Sequence, residues 1–200
     1  MKKIMFNDRY GLTKAVLDGK KTMTRRIIPI DLYNQTDWKA VAEGDFEAVV
    51  DGEGDYHDIR RCGMYQVGEV VAVAQSYHTL NKSGFIAPEW CEHTCENSAG
   101  YENKMFVRAD LMPHRIIIRK VGVQRLQSIS DEDCMKEGIM EGEFMNTWDR
   151  FYFDEWGDVA NHITFKRPRD AYRDLIDRIS GRDTWQRNPW VYAYTFELLK

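Results

Sequence analysis

Residues 190–198 constrain the fold of this chain most. Tyr192, Tyr194, Phe196 and Leu198 alternate with Val191, Ala193, Thr195 and Glu197, and successive side chains of an extended chain point to opposite faces. An aromatic set at a period of two requires a strand that lays one face on a core. Residues 115–126 are rich in β-branched side chains and predict a second strand, within which Gly122 marks a bulge or a close backbone approach. Residues 70–77 read as a buried third strand, entered through the turn Val67-Gly68-Glu69. The helical period appears over 169–179, where Tyr172, Leu175, Ile176 and Ile179 share a face. It appears again in Leu12, Ala15, Val16 and Gly19, with Asn7 or Asp8 as the N-cap and Gly19 at the C-terminal end. Ser130-Asp131-Glu132-Asp133 starts a short helix like a capping box, with Ile129 and Cys134 spaced for a hydrophobic staple and an end near Gly138. Strands and helices mix without regular βαβ alternation, so the predicted class is α+β around a curved sheet.

The 200 residues contain no internal repeat and form one expected domain over 1–200. Three stretches interrupt the pattern and read as loop insertions, at about 31–63, 81–103 and 141–165. The first is acidic, Gly-rich and aperiodic; the last is aromatic, acidic and expected to be partly helical.

No window reaches the roughly 18 uninterrupted apolar residues of a membrane span. The N-terminal apolar run is too short for a signal peptide. A cytosolic protein with no membrane contact is therefore expected, and Cys62, Cys91, Cys95 and Cys134 read as free thiols. Cys91, His93 and Cys95 offer two thiolates and an imidazole to a metal, but without a second cluster the expectation is a polar loop, with no metal and no cofactor. The net charge of −4 hides segregation. Residues 1–30 hold eight Lys/Arg against Asp8 and Asp18, whereas residues 31–58 hold nine acids against Lys39. Such local fields leave a nucleic-acid partner open, although solvated faces of alternating sign give the same pattern.

Lys20-Lys21-Thr22-Met23-Thr24-Arg25-Arg26 packs four cations and two hydroxyls into seven residues. Extended, it sends Thr22, Thr24 and Arg26 to one face and Lys21 and Arg25 to the other. The cluster could hold a phosphate or carboxylate, or use a desolvated lysine to activate a hydroxyl. A solvated basic edge explains it equally well.

The stretch from Asp18 to Arg26 resembles the N-terminal signature of ASCH-domain proteins, a branch of the PUA-like superfamily. The resemblance continues in order through Tyr65-Gln66-Val67-Gly68-Glu69, Met112-Pro113 with Arg115, and the run from Arg125 to Asp133. It goes on through Lys136-Glu137-Gly138-Ile139 and ends with Trp185 and Asn188-Pro189-Trp190-Val191. The pattern is most similar to the longer phage- and prophage-associated members. It implies a PUA-like β-barrel flanked by helices, and a cleft for RNA or a nucleoside- or nucleotide-like ligand lined by Lys20, Thr22, Arg25, Arg26, Gln75 and Arg115. A shorter branch, the bacterial acetylcytidine amidohydrolases, carries a Lys-Thr-x-Thr-x-Arg motif that matches Lys21, Thr22, Thr24 and Arg26. Its catalytic glutamate falls on Glu137. That resemblance implies Thr24 as nucleophile, Lys21 as base and Glu137 as proton shuttle or orienting group.

Where long members carry an Arg-Glu pair, this chain has Ala74-Gln75. Gln75 hydrogen-bonds a base edge but is neither acid nor base. Trp185 and Trp190 are expected in the core, while Trp90, Trp148 and Trp156 are free to stack on bases. Three functions follow: a module binding RNA or a modified nucleotide, an amidohydrolase acting on acylated cytidine, and a phage accessory protein whose barrel only displays its acidic insertions. The sequence leaves ligand identity and oligomeric state open.

Overall fold

The structure is a computed structural model that describes residues 1–85, 96–142, 150–154 and 163–199. Its backbone is a pair of long antiparallel strands, β6 (Arg115–Arg125) and β9 (Trp190–Leu199). Three more complete a five-stranded sheet: β1 (Lys3–Ile4), β2 (Met23–Ile27) and β5 (Val70–Val73), in the order β1-β5-β6-β9-β2. Among the described pairings of this sheet only β1 and β5 run parallel. The barrel implied by the family resemblance is not closed among the described residues, where β1 and β2 are the two edges of an open sheet.

The period-two reading of the last strand holds, but its two faces are less unequal than expected. Tyr192, Tyr194 and Phe196 are buried, and so are Val191 and Ala193. Both faces of β9 are therefore covered, and small residues on the second face suit that burial. Gly122 is not a bulge; it sits in regular register opposite Ala193, and the irregularity falls between Ile118 and Lys120. The strand expected over 70–77 stops at Val73, because Ser76 accepts a hydrogen bond from the Thr79 amide and caps α4 (Tyr77–Lys82).

Helix α1 (Leu12–Leu17) starts later than expected, behind Gly11 rather than Asn7 or Asp8. Asn7 and Asp8 instead brace the turn before it: the Asn7 carbonyl accepts from the Leu12 amide at 3.0 Å, and Asp8 accepts from the Thr13 hydroxyl. Gly19, with φ of 71°, ends the helix as expected.

The stretch 31–63 is not a loose loop. It forms α2 (Ile30–Asn34), α3 (Trp38–Glu43) and the hairpin β3 (Glu47–Val50)–β4 (Tyr56–Asp58). Val41, Ala48, Val49 and Ile59 anchor it in the main core. A few apolar anchors suffice to order an acidic segment whose charged side chains mostly face water.

Ser130 caps α5 (Asp131–Lys136) through the Asp133 amide, and Ile129 and Cys134 are both buried, as a staple requires. Part of the 141–165 stretch forms a short pair, β7 (Met140–Glu141) with β8 (Phe151–Tyr152), which Phe165 extends by a bridge to Phe151; residues 143–149 and 155–162 lie outside the described residues. Helix α6 (Pro168–Ser180) buries Ala171, Tyr172, Leu175 and Ile176, but its last expected face residue, Ile179, stays partly exposed. Helix α7 (Thr184–Arg187) leads into β9. Trp190 is in the core, stacked on Trp38, and Trp185 packs edge-on against Tyr172. Among the described residues no helix is long and apolar enough to cross a membrane.

Candidate functional site

The segment before β2 is held on three sides by backbone. Lys20 and Lys21 donate their amides to the Ala15 carbonyl, Thr22 donates to Lys136, and Phe196 donates to Thr22. These bonds set the end of α1, the end of α5 and strand β9 around residues 20–22. In β2 itself Thr24 lies opposite Tyr194, Arg25 opposite Ala193 and Arg26 opposite Tyr192.

Lys21 and Arg25, expected on one face of an extended segment, converge on one buried carboxylate. Lys21 Nζ donates to Glu137 Oε2 at 2.7 Å and to the Glu137 carbonyl at 2.6 Å. Arg25 Nη1 donates to Glu137 Oε1 at 3.0 Å, while Nη2 reaches Asp133 Oδ2 at 2.8 Å. With its amide oxygen turned inward, Gln124 also accepts from Arg25 Nε at 3.3 Å and Nη2 at 3.0 Å. Lys21 is 2% exposed and Glu137 4%. A charge that deep persists only when paired and hydrogen-bonded, and here each carboxylate oxygen of Glu137 has a cation.

Glu137 reaches this place because α5 stops there. It is the C-cap of that helix, and Gly138 follows at φ of 103°, a left-handed conformation that favours glycine. A Cβ at Gly138 would meet Leu12 Cδ2 at 3.0 Å and Lys21 Cδ at 3.6 Å, so the missing side chain also makes room for the lysine.

Burial lowers the Lys21 amine below its ordinary 10.5, with Glu137 opposing the shift and Arg26 and Arg25 reinforcing it. Burial also works against the Arg25 charge, but Glu137, Tyr172 and Asp133 outweigh it and raise that group. The Tyr172 phenol is pushed well up by burial and by the neighbouring Glu137, and its hydroxyl has no hydrogen-bond partner among the described residues. Burial pushes the Cys134 thiol up to about 12, far from a reactive thiolate.

A cleft of about 640 Å³ opens above this network, lined by Lys21, Thr24, Arg25, Arg26 and Glu137. Its walls are Phe6, Tyr65, Tyr172, Leu175, Ile176, Tyr192 and Tyr194, and its rim includes the exposed Met5, Ile27 and Met64. Cys62, a free and exposed thiol, lines it too. An aromatic cavity with a few convergent polar groups is the usual form of a small-molecule site. The floor is not a basic clamp, because two buried cations face two carboxylates.

Of the residues predicted from sequence, Lys21, Thr24, Glu137, Arg25 and Arg26 come together at the cleft. Lys20 is exposed and Thr22 half-buried, and neither lines it. Gln75 is buried elsewhere, its Oε1 2.6 Å from His114 Nδ1. Arg115 is exposed at the start of β6, opposite Ala72 and Leu199. Cys91, His93, Cys95, Trp90, Trp148 and Trp156 lie outside the described residues. Among those described, no group of three His, Cys, Asp or Glu side chains is placed to hold a metal.

The sequence reading missed Asp133, Gln124 and the tyrosine walls. Asp133 stands four residues before Glu137, one helical turn away, which is the signal that pairs them. Tyr192 and Tyr194 sit in the alternating aromatic run, where core and cleft wall look alike.

No protein-family model matches the chain, and no curated protein matches it. Among solved structures, an ASCH domain from Lactobacillus crispatus JV V101 is 13% identical, in a match covering 96% of this chain and 75% of that one, with a TM-score of 0.36. A likeness at that score carries no argument about fold or function.

Proposed function

We propose that this chain binds RNA or a nucleoside- or nucleotide-like ligand in the cleft, with a base directed inward, as the ASCH-type motif resemblance implies. One observation carries the reading: a cavity walled by Phe6, Tyr65, Tyr172, Tyr192 and Tyr194 over a charge-balanced floor. Flat aromatic walls suit a base, and a balanced floor suits its uncharged polar edge better than a phosphate. Phosphates belong at the rim, beside Lys3 and Arg26.

A second reading rests on a different observation, the depressed Lys21 amine bound to Glu137 in the cavity that Thr24 lines. That arrangement supports an amidohydrolase removing an acyl group from the exocyclic amine of cytidine. Thr24 Oγ would add to the acyl carbon as its proton passes to the Lys21 amine in its unprotonated form. Collapse of the adduct breaks the C–N bond and returns the proton to the leaving nitrogen. Water then adds to the Thr24 ester with Lys21 again taking the proton, which releases the carboxylic acid and restores both groups. Glu137 orients the lysine throughout. The third reading, an accessory protein whose barrel only displays its acidic insertions, fits the acids of residues 31–58, most of which stay exposed although the segment is anchored in the core.

The test titrates labelled protein with cytidine, acetylcytidine and a short single-stranded RNA, following the Thr24 and Tyr172 amides by NMR. Saturable shifts at both are expected. Their absence with all three ligands would reject the binding reading. Release of free cytidine from acetylcytidine, lost in Lys21→Ala, would move the conclusion to the hydrolase.

A further inference from the structure

We propose that Arg25 is a positioning residue of the cleft rather than a ligand clamp: it fixes one oxygen of the Glu137 carboxylate so that the other addresses Lys21. The inference rests on Lys21 as the working group of the site proposed above.

The Arg25 side chain is wholly buried and its guanidinium is committed inside the protein. Nη1 holds Glu137 Oε1, Nη2 holds Asp133 Oδ2, and the Gln124 amide lies against Nε and Nη2. Three anchors on a planar fork define its orientation in a way that one point charge does not. The carboxylate it grips then has a single oxygen left for the lysine. Without Arg25, both oxygens become free to chelate Lys21.

That rearrangement has a readable consequence. The charged and titratable groups around Lys21 come from each packed element. Helix α5 ends in Glu137 and also brings Asp133, through Arg25, and the Cys134 thiol. Strand β2 brings Arg25 and Arg26. Helix α6 brings the Tyr172 hydroxyl beside the Glu137–Arg25 pair. The N-terminal segment brings Lys3 to the same cavity and sets the Phe6 ring centroid 5.8 Å from Nζ. Of these, Arg25 alone among the cations competes with Lys21 for Glu137. Removing it takes away a like charge and releases a carboxylate oxygen, and both changes stabilise the lysine ammonium.

The experiment is an NMR titration of Lys21 in protein carrying lysine labelled with 13C at Cε, without any ligand. Arg25→Gln is expected to raise the Lys21 midpoint by about one pH unit. Arg25→Lys, which keeps the charge but not the fork, is expected to leave part of that rise in place. An unchanged midpoint in Arg25→Gln, or full restoration by Arg25→Lys, would overturn the proposal. Should Arg25→Gln fail to fold, Gln124→Leu and Asp133→Ala each remove one anchor while keeping Arg25, and a smaller rise is expected in both; no rise in either overturns it. Because the readout needs no ligand, failure of the binding or hydrolase reading appears in the assays above and not here.

Discussion

Lys21 Nζ closes on Glu137 twice, at the carboxylate and at the backbone carbonyl, and so joins residues 116 positions apart. The contact ties the N-terminal basic motif to the end of α5 and places a buried, charge-compensated pair under an open cavity. Removing the lysine leaves Glu137 with Arg25 as its remaining cation. Lys21→Met is therefore expected to destabilise the fold by about 3 kcal/mol at neutral pH, the low end for breaking a buried pair. Urea unfolding of the two proteins measures this. A loss below about 1 kcal/mol, the value of an exposed pair, would mean the contact is not buried in solution.

The pH dependence of that loss has a definite sign. Burial holds the folded Lys21 amine below the 10.5 of the unfolded chain. Between those two values the unfolded chain binds the additional proton, so stability rises with pH. The contribution of the neutral amine is complete above 10.5 and is lost as pH falls through the folded value. Lys21→Met has no such group. The wild-type advantage in urea midpoint is expected to grow as pH approaches 10.5, and a constant difference would show that the amine is not depressed.

Thr24 separates binding from turnover. It is buried at 5% exposure and lines the cleft opposite Tyr194 in the sheet. Under the hydrolase reading, Thr24→Ala keeps acetylcytidine binding within a few fold and abolishes cytidine release, while Thr24→Ser retains release. Release persisting in Thr24→Ala would remove the hydroxyl from the chemistry and leave the cleft a binding site.

How far the site was legible in the sequence depends on where each partner lies. Lys21, Thr24 and Glu137 stand at motif spacings, and the structure brings them to one cavity. Arg25 was expected to contact the ligand, and its commitment inside the protein was hidden because its counter-charges are Glu137 and Asp133, 112 and 108 residues away. Gln75 and Arg115 were drawn in by family pattern alone; β5 ends before Gln75, whose amide is turned to His114. The order within 31–63 was hidden for another reason. Its apolar anchors, Val41, Ala48, Val49 and Ile59, are sparse and follow no single period across α3 and the hairpin. Pattern reading finds long regular elements, and these are short.

Exposed cations, unlike Arg25, are available to a polyanion. Arg26 lines the cleft rim and Lys20 stands exposed just outside it. If single-stranded RNA binds, Arg26→Gln and Lys20→Gln should each weaken it and flatten the slope of log affinity against log salt by about 0.7, one phosphate contact apiece. Binding isotherms at several salt concentrations measure the slope. An unchanged slope in both variants would mean that neither cation contacts a phosphate.

Gly138 offers a test of the geometry itself that involves no ligand. Its φ of 103° is a conformation that side chains rarely adopt. An added methyl would also press on Leu12 at 3.0 Å and approach the Lys21 stem. Gly138→Ala should therefore cost about 1–3 kcal/mol from backbone strain. It should also disturb Lys21 more than a remote strain would, because Glu137 and Gly138 share the turn that delivers the carboxylate. The expected result is a lowered urea midpoint together with a displaced Lys21 Cε resonance. Gly19→Ala is the matched control: it places a side chain at φ of 71° with nothing within 4 Å, at the end of α1. If both variants lose stability but only Gly138→Ala moves the lysine resonance, the α5 turn is what holds Glu137 against Lys21. Equal displacement in both would assign that role to the whole 15–22 backbone instead.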